Sequence, residues 1–324
     1  MTKIKGSDHI KHSIRKNFKI LSIDGGGMRG VYPAHILKCI QERFAVSLYE
    51  EFDLIAGTST GSILAAAVAT KTDISEVLSL YETQGKEIFK KKLLWEIPYI
   101  GSLLKIAHLS FQSQYKNNRL YSVLNSTLGD LRLGDISKPL IIPSSDIGNG
   151  NVHIFKSYYC DKYKRDRVVR LADAVLASCS APLYFDPARV NEYLLADGGI
   201  WCNNPALVCV LEAQKRLRVD LKDIRLLSIG TGQSKKGYSI NSGKHWGIFR
   251  WKGTNLIDYI MSLQSQAIDN YLGFLLAKEQ YIRINFEYEN SLPLDEYSNI
   301  EDLISKADKS ASYKTEELAK IFSE

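Results

Sequence analysis

Three short stretches hold residues whose types and spacing could do chemistry: SIDGGGMRG over residues 22 to 30, GTSTG over 57 to 61, and LLADGG ending at Gly199. Each follows an apolar run, and each opens a turn rich in glycine. GTSTG fits the G-x-S-x-G nucleophile elbow, in which a tight strand-to-helix turn lifts a serine hydroxyl above a sheet. Ser59 is then the candidate nucleophile, with Gly57 and Gly61 as the small flanking residues that let the backbone pack. The pentapeptide alone is a weak signal, because glycine and serine are common in turns. Its position between an apolar run and a helical pattern strengthens it.

The first stretch has two readings. Gly25, Gly27 and Gly30 satisfy the dinucleotide fingerprint G-x-G-x-x-G between a strand and a helix. That fingerprint also requires an acid at the carboxyl end of the second strand, to hold ribose hydroxyls. Glu50, Glu51 and Asp53 lie at the start of that strand instead, so a nucleotide cofactor is not expected. The other reading is an oxyanion hole. Successive N–H groups of Gly25, Gly26, Gly27 and Met28 can face the carbonyl that Ser59 attacks, and such donors contribute a few kcal/mol to a transition state.

A serine needs a base. The chain has six histidines, and only His245 lies far downstream, in SGKHWGIFRW, where no strand end fixes it. A Ser-His-Asp esterase using His245 is the alternative arrangement. Asp197 has the better setting, after an apolar strand and before two glycines. A partly desolvated carboxylate with a raised pKa can take the serine proton. Asp-Gly also caps turns frequently, so the dipeptide by itself decides nothing.

These loops need elements to hold them. Periodicity places strands at 18–23 (FKILSI), 52–56, 224–229 and 281–286 (YIRINF), a strand that ends in a turn within 191–199, and a hairpin of 140–147 with 151–158. Helices are expected over 31–44, through SILAAAVA, over 171–178, from Pro205 with Asn204 as N-cap, over about 255–278, and at the polar C-terminus. Alternating strands and helices imply an α/β fold, a mostly parallel central sheet with helices on both faces. Parallel neighbours would bring the first two loops together at the carboxyl edge.

A chain of 324 residues buries roughly three quarters of its unfolded surface, enough for a sizeable core. No apolar run approaches a membrane span, and the basic N-terminus lacks the apolar core of a secretory signal, so a cytoplasmic protein is expected. Five scattered cysteines without a C-x-x-C pair argue against disulfides and a zinc site, and no calcium-loop pattern is present. The expectation is no cofactor and no metal. A formal charge of +6 favours anionic partners weakly. One domain over 18–324 after a basic segment at 1–17 is the simplest division.

DGGGMRG, GTSTG and DGG in this order, with ASCSAP (177–182), NNP (203–205) and SIGTG (228–232), resemble the patatin-like phospholipase family over most of the chain. The resemblance implies a three-layer patatin-like fold and a lipid acyl hydrolase of phospholipase A type. It carries over Ser59 as nucleophile, Asp197 as base without a histidine, the Gly25 to Met28 amides as oxyanion hole, and Arg29 as the loop arginine that holds the loop or reinforces its positive field. Bacterial members of about this length include antiphage effectors switched on by cyclic dinucleotides, and the chain is similar to that group. This implies a cyclic dinucleotide activator, a phospholipid membrane surface as partner at the inner membrane, a homo-oligomer, and no nucleic acid polymer. Lys3, Lys5, Lys11, Arg15, Lys16 and Lys19 with Lys90 to Lys92 offer an anionic-ligand surface, and Phe89 to Leu109 mixes lysines with apolar and aromatic residues as a lid or membrane contact would. A lipid- or nucleotide-binding protein without activity is the remaining alternative.

Overall fold

The computed structural model describes residues 16–89, 112–235, 254–289 and 292–322. His245, residues 1–15 of the N-terminal basic segment and, except for Phe89, the whole basic-aromatic stretch 89–109 with Lys90 to Lys92 lie outside the described residues. In chain order the elements are β1 (Phe18–Ile23), α1 (Val31–Phe44), α2 (Leu48–Glu51), β2 (Leu54–Gly57), α3 (Thr60–Ala69), α4 (Ile74–Ile88), α5 (Asn117–Leu128), β3 (Leu140–Asp146), β4 (Asn151–Lys156) and α6 (Leu171–Cys179). Then follow β5 (Ala188–Val190), β6 (Tyr193–Asp197), α7 (Ala206–Lys215), β7 (Ile224–Ile229), β8 (Gln233–Ser234), α8 (Thr254–Leu275), β9 (Tyr281–Ile284), β10 (Glu287–Tyr288), α9 (Ile300–Tyr313) and α10 (Thr315–Phe322).

Among the described residues, eight strands form one sheet in the order β5-β6-β3-β2-β1-β7-β9, with β4 on the other edge of β3. The five strands from β3 to β9 are parallel, while β4, β5 and β6 supply antiparallel pairings. Strand side chains alternate between faces. Leu21, Ile23, Ile55, Ile142, Leu227 and Ile229 enter the larger core with α1, α3, α4 and α6. Ile20, Leu54, Ala56, Ile141, Ile224 and Leu226 enter the smaller core against α7 and the end of α8. This is the three-layer α/β architecture with helices on both faces. Burying each such side chain is worth about 1.5–3 kcal/mol. Among the described residues, no helix is long and apolar enough to cross a membrane.

The edge of β3 sets the geometry. β4 pairs along Ile141 to Asp146 on one side. The opposite side is shared: β2 pairs at Leu140 and Ile141, and β6 pairs antiparallel at Ser144 to Asp146. β2 and β6 therefore approach each other end to end, leaving a gap beside Pro143. A proline within a strand is tolerated where no neighbour needs its N–H. Its carbonyl faces the gap and accepts from Ser178 Oγ at 2.6 Å.

The periodicity is matched at β1, α1 and the hairpin, and departs elsewhere for local reasons. Phe52 and Asp53 stand before β2, where Asp53 Oδ2 accepts the Lys19 N–H. Pro205 precedes α7, and Asn204 Oδ1 accepts from the N–H of Ala206 at 3.0 Å, the capping expected of it. The polar C-terminal helix is two helices, α9 and α10. Lys19 does not belong to an open basic surface: it is buried and its ammonium pairs with Glu51 at 2.8 Å.

Arg283, on β9, reaches across β7 to the end of β1. It donates to both oxygens of Asp24, at 2.9 and 2.6 Å, and to Ser228 Oγ at 2.8 Å. Burial pushes the Asp24 carboxyl up, and Arg283 pulls against that. Removing one partner of such a pair leaves a buried charge uncompensated. Arg283→Met should cost about 3–5 kcal/mol in denaturant unfolding, and adding Asp24→Asn should recover part of it. Additive costs would show that the pair is not coupled.

Candidate active site

β1 and β2 are parallel neighbours in register Ile23↔Gly57, so the chain leaves both at one place on the carboxyl edge. Thr58 N–H donates to the Ile23 carbonyl at 3.1 Å. A Cβ on Gly57 would lie 2.0 Å from the Gly61 carbonyl oxygen, and one on Gly61 would lie 2.4 Å from that of Ile23. Only glycine fits at either position. Ser59 between them has φ 52° and ψ −126°, a conformation that costs of order 1–3 kcal/mol and persists only where its surroundings impose it. The imposing contacts are specific. Ser59 N–H donates to Ser178 Oγ at 2.9 Å, Ser62 Oγ donates to the Ser59 carbonyl at 2.6 Å, and Thr58 Oγ1 donates to the Cys202 carbonyl at 2.7 Å. The ten-residue α3 begins at the next residue and points its positive end at the serine.

Asp197 ends β6 at the gap from the opposite direction. Its Oδ1 accepts the Gly199 N–H at 2.6 Å, while Oδ2 has no settled partner. The carboxyl is 2% exposed. Burial pushes its pKa up to about 7, against the lowering effects of the Gly199 N–H and the Ser59 hydroxyl.

The glycine loop is more committed than its composition suggests. Gly25 N–H donates to the Asn203 carbonyl at 3.1 Å and Met28 N–H to the Leu294 carbonyl at 2.7 Å. Of the four amides expected to face the nucleophile, those of Gly26 and Gly27 have no such acceptor among the described residues. Gly27 has φ 57°, and a Cβ there would lie 2.2 Å from the Leu294 carbonyl oxygen. Gly25 packs beside the serine, where an added Cβ would stand 3.1 Å from that of Ser59. Arg29 is buried and points away from the nucleophile: it donates to the Gly26 carbonyl at 3.2 Å, to Tyr288 Oη, and to Asp258 at 2.7 Å. It braces the loop against α8 and β10.

The Leu294 contact was not legible in sequence. The next residue, Asp295, is buried and accepts from Tyr115 Oη at 2.6 Å and Gln114 Nε2 at 2.7 Å. This network fixes the segment that receives the Met28 amide.

Ser59 and Asp197 share one cavity with Gly27, Met28 and Thr60. Its remaining wall is almost wholly apolar, built mainly by Ile63 and Ala67 of α3, Val77 and Ile88 of α4, and Leu120 and Leu124 of α5, with Phe185. Neither described histidine lines it. His35 bonds Asp308, and His153 packs between Phe155 and Tyr193, where burial lowers its pKa to about 4.

A nucleophile-type serine turn, a buried carboxyl and an apolar cavity on a three-layer α/β sheet define an acyl-hydrolase class of protein. The family model described as "Patatin-like phospholipase" matches residues 21–210. The chain therefore belongs to the patatin-like phospholipase family, and with it to the lipid-hydrolysing enzymes. It is 28% identical over 317 residues to Patatin-like protein 2 of Oryza sativa subsp. indica, covering 84% of this chain and 77% of that one. It is 28% identical over 268 residues to a cGAMP-activated phospholipase of Pseudomonas aeruginosa, covering 82% and 77%. It is also 28% identical over 282 residues to a cUMP-AMP-activated phospholipase of Escherichia coli, covering 84% and 82%.

The raised pKa of Asp197 carries a stability consequence. Between its unfolded value near 4 and its folded value of about 7, the folded state binds the proton more tightly, so this group's penalty grows as pH rises through that window. Asp197→Asn keeps the acceptor for Gly199 and removes the buried charge. It should melt above wild type at pH 8, and the difference should shrink toward pH 4. A variant that melts below wild type at pH 8 would show that the carboxylate is not held at a cost.

Proposed function

We propose that the protein hydrolyses the acyl esters of phospholipids through a Ser59–Asp197 dyad. The carrying observation is that a serine on a positive-φ elbow and a buried carboxyl with an unpartnered oxygen line the same apolar cavity. In this reading the acyl chain lies among Ile63, Val77 and Leu124, with the ester carbonyl at Ser59. Asp197 takes the hydroxyl proton as Ser59 Oγ attacks. The N–H groups of Gly26 and Gly27 receive the developing oxyanion, with the dipole of α3 adding to the positive field. Collapse expels the lysophospholipid alkoxide, which takes the proton back from Asp197. A water molecule, deprotonated by Asp197, then attacks the acyl-serine, and as the fatty acid leaves, the Ser59 oxygen takes that proton back from Asp197.

Fatty-acid release from mixed phospholipid vesicles, read by mass spectrometry, tests the dyad. Ser59→Ala and Asp197→Asn should each reduce kcat by roughly 10³-fold or more, and the double variant should be little worse than either. Substantial activity in either folded variant would sink the assignment. Because the base must be ionised, kcat/KM should fall about tenfold per unit as pH drops below about 7.

Regulation by a cyclic dinucleotide, in bacterial antiphage defence at the inner membrane surface, extends this reading. It is supported by the two relatives named as cGAMP-activated and cUMP-AMP-activated phospholipases, each matched over more than four fifths of this chain. The ligand would have to bind the active arrangement more tightly than the resting one, since equal affinity shifts nothing. Hydrolysis of a fluorogenic phospholipid should rise sharply with one cyclic dinucleotide and not with linear dinucleotides. Full activity without ligand would refute the regulation and leave the dyad standing.

A further inference from the structure

Helices α1 and α9 pack along one another. His35 and Cys39 stand four residues apart on α1, so both project from one face. Asp308 of α9 meets them. His35 Nε2 lies 2.8 Å from Asp308 Oδ1, and Cys39 Sγ lies 3.5 Å from the same oxygen. The three potential ligand atoms all lie within 4.8 Å of one another. No residue of this cluster lines the cavity that holds Ser59.

We propose that His35, Cys39 and Asp308 form a binding site for a zinc-class divalent metal ion. The donor set decides the class. One imidazole nitrogen, one thiolate sulfur and one carboxylate oxygen suit zinc or cobalt, whereas calcium and magnesium take oxygen ligands. Bond lengths of about 2.0–2.3 Å set the edges of a tetrahedral site at roughly 3.3–3.6 Å. The sulfur–oxygen separation already falls there, the nitrogen–oxygen separation has to widen by about half an ångström, and nitrogen and sulfur, within 4.8 Å of each other, have to settle at about 3.6 Å. Asp308, whose side chain is 59% exposed, can supply the first movement, and side-chain rotation of His35 and Cys39 on the fixed helix backbone the second. The exposed side leaves the fourth position to water.

The pair of helices does not depend on metal to meet. Arg43, one turn beyond Cys39, donates to the Ala311 carbonyl at 2.9 Å and to Thr315. The two helices are therefore held together without metal, and substituting the ligands should leave the fold intact. Bound metal would fasten the C-terminal helices to the helix that begins directly after the glycine-loop turn, Gly27–Gly30.

Cobalt(II) titration of the full-length protein tests this directly. Wild type should develop a thiolate-to-cobalt charge-transfer band and the visible bands of a tetrahedral ion, both displaced by zinc. Cys160→Ser should retain them, Cys39→Ser should abolish the charge-transfer band, and His35→Gln and Asp308→Asn should each weaken cobalt binding about tenfold or more. Zinc at about 100 times its Kd should raise Tm by roughly 3–5 °C in wild type and not in Cys39→Ser. Absence of the band in folded wild type, or its persistence in Cys39→Ser, would overturn the site. A thermal shift of equal size with magnesium would do the same.

Discussion

Two strands cannot occupy one stretch of a neighbour's edge, and in this protein β2 and β6 divide the free edge of β3 between them. Each must leave the sheet where the other arrives. The chain after Gly57 turns out through Ser59, and the chain after Asp197 turns out through a tight turn at Gly198–Ile200. Residues separated by most of the sheet's sequence thus meet at a point fixed by backbone pairing. Pro143, which has no N–H to offer, lies in the gap, and its carbonyl accepts the hydroxyl that in turn receives the Ser59 amide. The convergence is a property of strand lengths and directions first, and of side chains second.

At that edge two buried aspartates have opposite surroundings. Asp24 is compensated on both oxygens by Arg283 and receives Ser265 Oγ at 3.1 Å, so its charge is spent on holding the end of β1. Asp197 has one oxygen satisfied and one left toward the serine. Burial raises both carboxyls, and it is the difference in partners that gives them different tasks. The first is a fastening within the sheet. The second is a group whose protonation can change near neutrality.

How much of this was legible in sequence follows from how local each cause is. FKILSI is apolar on both faces and bounded by polar residues, so its limits as β1 can be read directly. The elbow is a five-residue event and is legible for the same reason. Asp197 was found from the glycines after it, but that punctuation is silent on direction, and β6 runs antiparallel to β3 rather than with the parallel set. The donation of the Gly25 and Met28 amides to Asn203 and Leu294 depends on segments that only the fold brings near. Asp295 carries no pattern at all, and Asp308 stands 269 residues from Cys39. Lys19 looks like part of a basic run until its pairing with Glu51 is seen. Local turns and periodicities speak in the sequence; long-range partners do not.

The polar groups around Ser59 come from loops scattered across the chain, whereas most of the apolar wall comes from α3, α4 and α5, which follow one another between residues 60 and 128. The two parts are therefore separable units of inheritance. Beyond Gly61 and Ser62, which shape the elbow, substitutions within that stretch can change the depth and width of the apolar cavity while leaving the turns at Ser59 and Asp197 in place. The shape of the cavity and the turns beside it can therefore vary along largely different segments of the same gene.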